Sequence, residues 1–136
     1  MPRTITISLP VADLEASKAF YTALGCTTDS RFPGGDGAAF MAWGGSINLV
    51  LLTHGAWARL TDRPIAQRTS SEVGLAVSCD SREEVDAMNR AAGENGGTAD
   101  INPVDDYPFM YGRDFLDPDG HVWGAKWMDL SAMPSS

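Results

Sequence analysis

Residues 4–25 read TITISLPVADLEASKAFYTALG. The first part alternates strictly. Ile5, Ile7 and Leu9 fall on one side, with Thr4, Thr6 and Ser8 on the other, which is the period of a half-buried strand. Pro10 follows, and Asp13 stands where a helix N-cap belongs. Glu15 sits in the first turn, where a carboxylate suits the helix dipole. Ala16, Phe20 and Leu24 then recur at i, i+4 and i+8, widened by Ala19 and Ala23, so a helix is expected. Gly25 offers the left-handed position that ends it.

The same order returns in the second half of the chain. Val73, Leu75 and Val77 alternate with Gly74, Ala76 and Ser78. Ser81 and Glu84 form a Ser-x-x-Glu capping box, and Val85, Met88 and Ala92 recur at helical spacing. Gly93, then Gly96-Gly97, are expected to end this helix, and Asp80 stands as the equivalent of Asp13. After each helix come two strands around a glycine-bearing turn. In the first half these are Ala38–Trp43 and Ile47–Leu52; in the second, Gly112–Leu116 and His121–Met128 flank Asp117-Pro118-Asp119-Gly120. One more strand is expected before each hairpin, near Thr27–Phe32 and Thr98–Val104. Thr53 to Ser70 reads as a linker with a short helix, and the end at Pro134-Ser135-Ser136 as a frayed tail. The chain is thus an α+β protein of two β-α-β-β-β modules, about 1–66 and 71–130, within a single domain over 1–136.

Composition narrows the function. The 136 residues are 43% hydrophobic and 21% charged, ordinary globular values. Ten basic against 18 acidic residues leave a net charge of −8, with no basic patch. Nucleic acid and anionic membrane surfaces are therefore excluded as partners. No apolar run reaches the roughly 18 residues that span a bilayer, and residues 1–9 lack a signal-peptide core. A cytoplasmic location follows. Cys26 and Cys79 are expected as free thiols, a single bridge being the alternative.

Val11-x-Asp13-Leu14, Phe20-Tyr21-x-x-Leu24-Gly25 and Asp117-Pro118-Asp119-Gly120-His121-x-Trp123 together resemble the vicinal oxygen chelate superfamily. That superfamily holds glyoxalase I, extradiol dioxygenases, fosfomycin-inactivating enzymes and bleomycin-binding proteins. The resemblance covers about residues 4–129. The stretch from Met110 to Trp123 is similar to the glyoxalase/bleomycin-resistance-like subgroup. It implies a curved eight-stranded mixed sheet with a concave cavity, and frequently a homodimer. In metal-dependent members four strands each present one ligand into the cavity. Those positions fall on Thr6, Asn48, near Gly74, and on Gly124. Thr, Asn and Gly cannot replace the usual His, Gln and Glu set, so neither a metal nor another cofactor is expected.

If those positions face the cavity, so do their i±2 neighbours. The expected ligand-binding residues are Thr6, Ser8, Asn48, Val50, Gly74, Ala76, Gly124 and Lys126, joined by Tyr111 and Arg113 from the aromatic loop and seventh strand. Leu52, Ser78 and Val122 share that face. The other face, Ile5, Ile7, Leu9, Ile47, Leu49, Leu51, Val73, Leu75, Val77, Trp123 and Trp127, is uniformly apolar, as a helix-packed core should be. A small, polar face leaves space for a ligand. The expected function is metal-free binding of a small organic molecule by a homodimer. Aromatic contact would come from Phe40, Trp43, Tyr107 or Tyr111. The alternative is a metal-dependent or atypical lyase, isomerase or dioxygenase of the same superfamily, which leaves catalysis open. Lys126 reads either as an anion-binding or basic residue or as a snorkelling strand-end lysine. His121 reads as an acid–base group or a turn residue, and Arg113 as a carboxylate clamp or an ion-pair partner.

Overall fold

The computed structural model describes residues 3–31, 35 and 37–132. The end of the expected strand at Phe32, part of the Gly34–Gly37 loop and the tail after Ala132 lie outside them. The chain divides into two compact units, Met1–Gln67 and Arg68–Ser136.

The first unit contains β1 (Ile5–Val11), α1 (Leu14–Ala23), β2 (Thr27–Thr28), β3 (Ala38–Trp43), β4 (Ile47–Thr53) and α2 (His54–Leu60). Its strands form one mixed sheet in the order β1-β4-β3-β2. β1 runs parallel to β4, and the other pairs are antiparallel. The registers align the apolar residues across the sheet: Leu9 beside Leu51, Leu51 beside Ala39, Leu49 beside Met41. All five are buried, and α1 packs on β2, β3 and β4. Asp13 caps α1 by accepting from the Ala16 N–H at 3.1 Å. Gly25 follows the helix at φ +113°, the left-handed backbone that glycine tolerates. The buried stripe of α1 is Ser17, Phe20, Tyr21 and Leu24. It is turned about one residue from the expected stripe, leaving Ala16 exposed. The reason is that Tyr21 packs edge-on against both Phe20 and Trp43, an aromatic cluster that outweighs an alanine.

The second unit repeats the plan. It contains β5 (Gly74–Ser78), α3 (Arg82–Glu94), β6 (Asp105–Tyr107), β7 (Met110–Leu116), β8 (Val122–Met128) and a short 3-10 turn, Leu130–Ala132. The sheet order is β5-β8-β7-β6, with β5 parallel to β8. Val77, Val85, Met88, Ala92, Phe115, Trp123 and Ala125 form its core. The cap of α3 is Ser81, whose hydroxyl accepts from the Glu84 N–H, while Glu84 accepts from the Asp80 N–H at 2.6 Å. The counterpart of Asp13 is therefore Ser81, one residue beyond Asp80. That shift matters, because it makes Gly74 the counterpart of Thr6.

Three elements differ most from expectation. β2 is only two residues long. The sixth strand lies at Asp105–Tyr107 and not at Thr98–Val104; Thr98 makes an isolated bridge to Leu116, and the Ile101 N–H bonds to the Asp114 carbonyl. Asn102-Pro103 breaks the ladder there, since proline lacks a donor. α3 continues through Gly93 to Glu94, and Gly96 at φ +98° supplies the left-handed turn. The expected short helix in the linker is α2, capped by the Thr53 hydroxyl.

The Asp117-Pro118-Asp119-Gly120 turn is held by a carboxylate. Asp117 is 1% exposed, and its Oδ1 accepts from the backbone N–H of Asp119 and His121, each at 2.9 Å. Gly120 adopts φ +89°, and a Cβ there would lie 2.6 Å from the Arg68 carbonyl oxygen. His121 thus sits in the turn, its backbone N–H bonded to Asp117.

Candidate functional site

In unit 1 the face opposite α1 is built by register. Thr6 lies beside Asn48 and Ser8 beside Val50; Asn48 and Val50 lie beside Ala42 and Phe40. Thr6 and Ser8 are exposed and Asn48 and Val50 half-buried. A cavity of about 470 Å³ opens here. Thr4, Thr6, Phe40, Asn48 and Val50 line it, with Asp29, Arg31, Met41, Gly45 and Leu49 completing the wall. Its size falls within the few-hundred to thousand Å³ range of small-molecule pockets. Three of the expected residues, Thr6, Asn48 and Val50, therefore meet in one cavity. Ser8 shares their face without lining it. Leu52, also on that face, is buried at the end where α2 contacts β4 and β1.

The wall holds a charged pair that sequence reasoning missed. Arg31 donates from Nε and Nη2 to the two oxygens of Asp29, at 3.0 and 2.8 Å. Asp29 is 10% exposed at its side chain and Arg31 78%. The hydrogen bonds from Arg31 hold the Asp29 carboxyl below its ordinary range. The Asp-x-Arg spacing was visible in the sequence, but only the bend after β2 brings it to the cavity.

In unit 2 the equivalent face carries Gly74, Ala76 and Ser78 beside Val122, Gly124 and Lys126. β7 adds Gly112 and Asp114, the partners of Lys126 and Gly124. The face is not bare. Lys126 Nζ meets Asp114 Oδ1 at 2.7 Å and Asp105 Oδ2 at 3.6 Å. Asn102 donates to Asp114 Oδ2 at 2.9 Å. Burial pushes the Asp114 carboxyl up, but the bonds from Lys126 and Asn102 and the lysine charge outweigh it, and its pKa falls.

Tyr111 and Arg113 do not belong to this face. They alternate with Gly112 and Asp114, so they point to the helix side, beside Trp127 and Ala125. The Tyr111 hydroxyl donates to Asp86 Oδ1 at 2.6 Å. Arg113 donates to Asp86 from Nη1 at 2.8 Å and to Asp100 from Nε and Nη2, at 2.9 and 2.5 Å. Asp86 lies on α3, so both residues tie helix to sheet. Trp43 likewise packs on the α1 side against Tyr21. Tyr107 stacks on Phe109.

At the positions the resemblance assigned to ligands, Thr6 and Asn48 of unit 1 offer a hydroxyl and an amide, and Gly74 and Gly124 of unit 2 offer no side-chain donor. Among the described residues no three His, Cys, Asp or Glu side chains cluster. This donor set does not fit a transition ion, which needs imidazole or carboxylate.

Residues 4–124 match the family model for the glyoxalase/bleomycin resistance protein/dioxygenase superfamily. The chain belongs to that superfamily. The solved structures agree with its fold. A hypothetical protein, SA1046, from S. aureus superposes with a TM-score of 0.78 at 24% identity, over 93% of this chain and 95% of that one. A glyoxalase/bleomycin resistance protein/dioxygenase from Nocardioides gives 0.67 at 28%, over 100% and 89%. The fosfomycin resistance protein FosX from Listeria monocytogenes gives 0.67 at 17%, over 96% and 97%. No curated protein matches the sequence. Membership in the superfamily explains the doubled β-α-β-β-β plan. Among the described residues no helix is long and apolar enough to cross a membrane.

Proposed function

We propose that this superfamily member binds a small organic molecule on the Thr6–Asn48 face of unit 1 without help from a transition metal. One observation carries the proposal: the cavity of about 470 Å³ has Thr6 and Asn48 in its lining. A hydroxyl and a carboxamide can donate and accept hydrogen bonds, while Phe40 and Val50 supply apolar contact. The chemistry suits an uncharged, flat molecule with a polar edge. The protein works as a homodimer in the cytoplasm, where Cys26 and Cys79 stay reduced. Both thiols are buried and unpaired with each other in the structure.

A thermal-shift screen with planar drugs and metabolites tests this. A ligand raises Tm in proportion to the logarithm of its concentration, and the shift is lost in Asn48→Leu while the unliganded Tm stays. Tight stoichiometric nickel, zinc, iron or manganese in protein purified without chelator would favour the superfamily's lyase or dioxygenase chemistry instead. Sedimentation at micromolar concentration tests the dimer independently.

A further inference from the structure

The end of α3 carries an asparagine followed by a glycine. Asn95 caps the helix, its Nδ2 donating to the Ala91 carbonyl at 2.7 Å. Gly96 takes φ +98°, and both residues are exposed. The Gly97 N–H donates to the Ala92 carbonyl at 2.9 Å, and the Asn95 N–H reaches the same oxygen at 3.4 Å. Between them, the Gly96 N–H has no hydrogen-bond partner among the described residues.

The peptide nitrogen that follows an asparagine can attack its side-chain amide. That nitrogen must be free of other bonds, unhindered by its own residue and open to solvent. Gly96 meets all three conditions, since glycine has no side chain to block the approach. The other asparagines do not meet them. Asn89 is 3% exposed, and its Oδ1 accepts from the Asp100 N–H at 3.1 Å. Asn102 precedes Pro103, whose nitrogen carries no proton. Asn48 lies in β4, laddered on both sides, and precedes the buried Leu49. An aspartate can cyclise in the same way, but at Asp119-Gly120 the Gly120 N–H is tied to the Asp117 carbonyl at 3.1 Å.

We propose that Asn95-Gly96 is a self-modification site, at which the folded protein deamidates and loosens the last turn of α3. The Gly96 nitrogen gives its proton to water and attacks Asn95 Cγ. A new N–Cγ bond closes a cyclic imide, the Cγ–Nδ2 bond breaks, and Nδ2 takes up a proton and leaves as ammonia. Water then opens the imide at either carbonyl, giving aspartate or isoaspartate. The sequence of steps needs only water. Its product lacks the donor that held the Ala91 carbonyl. It also sets a carboxylate beside Glu94 at the negative end of the helix dipole, where an anion is unfavourable. Isoaspartate further adds a carbon to the backbone just before the Gly97–Ala92 bond. The cavity lining of unit 1 includes none of these residues.

The test ages the full native chain at mildly alkaline pH and maps it by mass spectrometry. Asn95 loses its amide, as a mixture of aspartate and isoaspartate, while Asn48, Asn89 and Asn102 keep theirs. Asn95→Gln stays intact at that position under the same conditions. Hydrogen exchange then reads the helix end. The aged protein and fresh Asn95→Asp both exchange the Gly97 amide hydrogen several-fold faster than the fresh parent, as loss of a helix-end hydrogen bond implies. Two results overturn the proposal. One is an Asn95 amide that survives in the native chain but is lost from the same chain unfolded in urea. The other is a Gly97 amide as protected after conversion as before it.

Discussion

Lys126 reaches past its cross-strand neighbour Gly112 and meets Asp114, the partner of Gly124, diagonally at 2.7 Å. A diagonal pair of this kind is within reach of a long side chain, and Gly112 leaves room for the lysine stem, since a Cβ there would lie 2.5 Å from Lys126 Cδ. This ion pair is what closely approaches Gly124, where a Cβ would lie 2.7 Å from Asp114 Oδ1.

The glycines should therefore differ sharply in tolerance. Gly120→Ala meets a backbone carbonyl at 2.6 Å in a left-handed conformation, and should cost about 2–3 kcal/mol. Gly124→Ala meets movable side-chain atoms and should cost about 1 kcal/mol. Gly74→Ala, whose Cβ would find only Val122 Cγ1 at 4.0 Å, should be neutral or gain up to about 1 kcal/mol. Urea unfolding of the three variants gives the order directly.

Gly124→Glu should not create a tight metal site. Its new side chain enters where Asp114 and Lys126 already stand, and Gly74 on the same face of unit 2 adds no side-chain donor. Titration with nickel or zinc should show no submicromolar binding; such binding would mean a partial metal site already exists.

Arg113 should behave as a structural residue. Hydrogen bonds from Tyr111 and Arg113 lower the Asp86 carboxyl, and those from Arg113 lower Asp100. Arg113→Met should cost about 1 kcal/mol, since both carboxylates are more than a third exposed and solvent screens them. It should leave ligand-induced thermal shifts unchanged.

The same network sets an acid dependence. Folded-state carboxyls below their unfolded values bind fewer protons than the unfolded chain, so stability rises with pH across that interval. The contribution of Asp86, Asp100 and Asp114 is complete above the ordinary carboxylate range near pH 4 and lost as pH falls through their lowered values. Urea midpoints measured from pH 7 to pH 2 should fall over that window, less steeply in Arg113→Met.

The two thiols should be inert in the native state. Burial pushes Cys26 up to about 12 and Cys79 to about 11. Thiolate, the reactive form, is then scarce at pH 8. A thiol reagent should label neither residue until urea unfolds the protein, when both react.

Much was legible from the sequence because the signals were local and repeated. Alternation in Ile5–Leu9 and Leu75–Val77, the caps at Asp13 and Ser81, and the Asp117–Gly120 turn each depend on neighbours a few residues away. The apolar faces Ile7-Leu9, Leu49-Leu51, Val77 and Trp123 emerged from period two alone. Short or irregular pieces did not: the sixth strand lies after Pro103, in a stretch with no periodicity of its own.

Tertiary structure decided the site. Sequence patterning put Thr6 beside Asn48 only as an inference about register, and the parallel β1–β4 ladder makes them neighbours. Tyr111 and Arg113 point to the helix side because successive residues of a strand alternate between its two faces. The helical carboxylate of Asp86 that claims them lies 25 and 27 residues away. Lys126 and Asp114 are 12 residues apart in the chain. Their pairing exists because the antiparallel register sets a glycine opposite each of them, Gly112 opposite Lys126 and Gly124 opposite Asp114, a coincidence of two strands that no single stretch of sequence encodes.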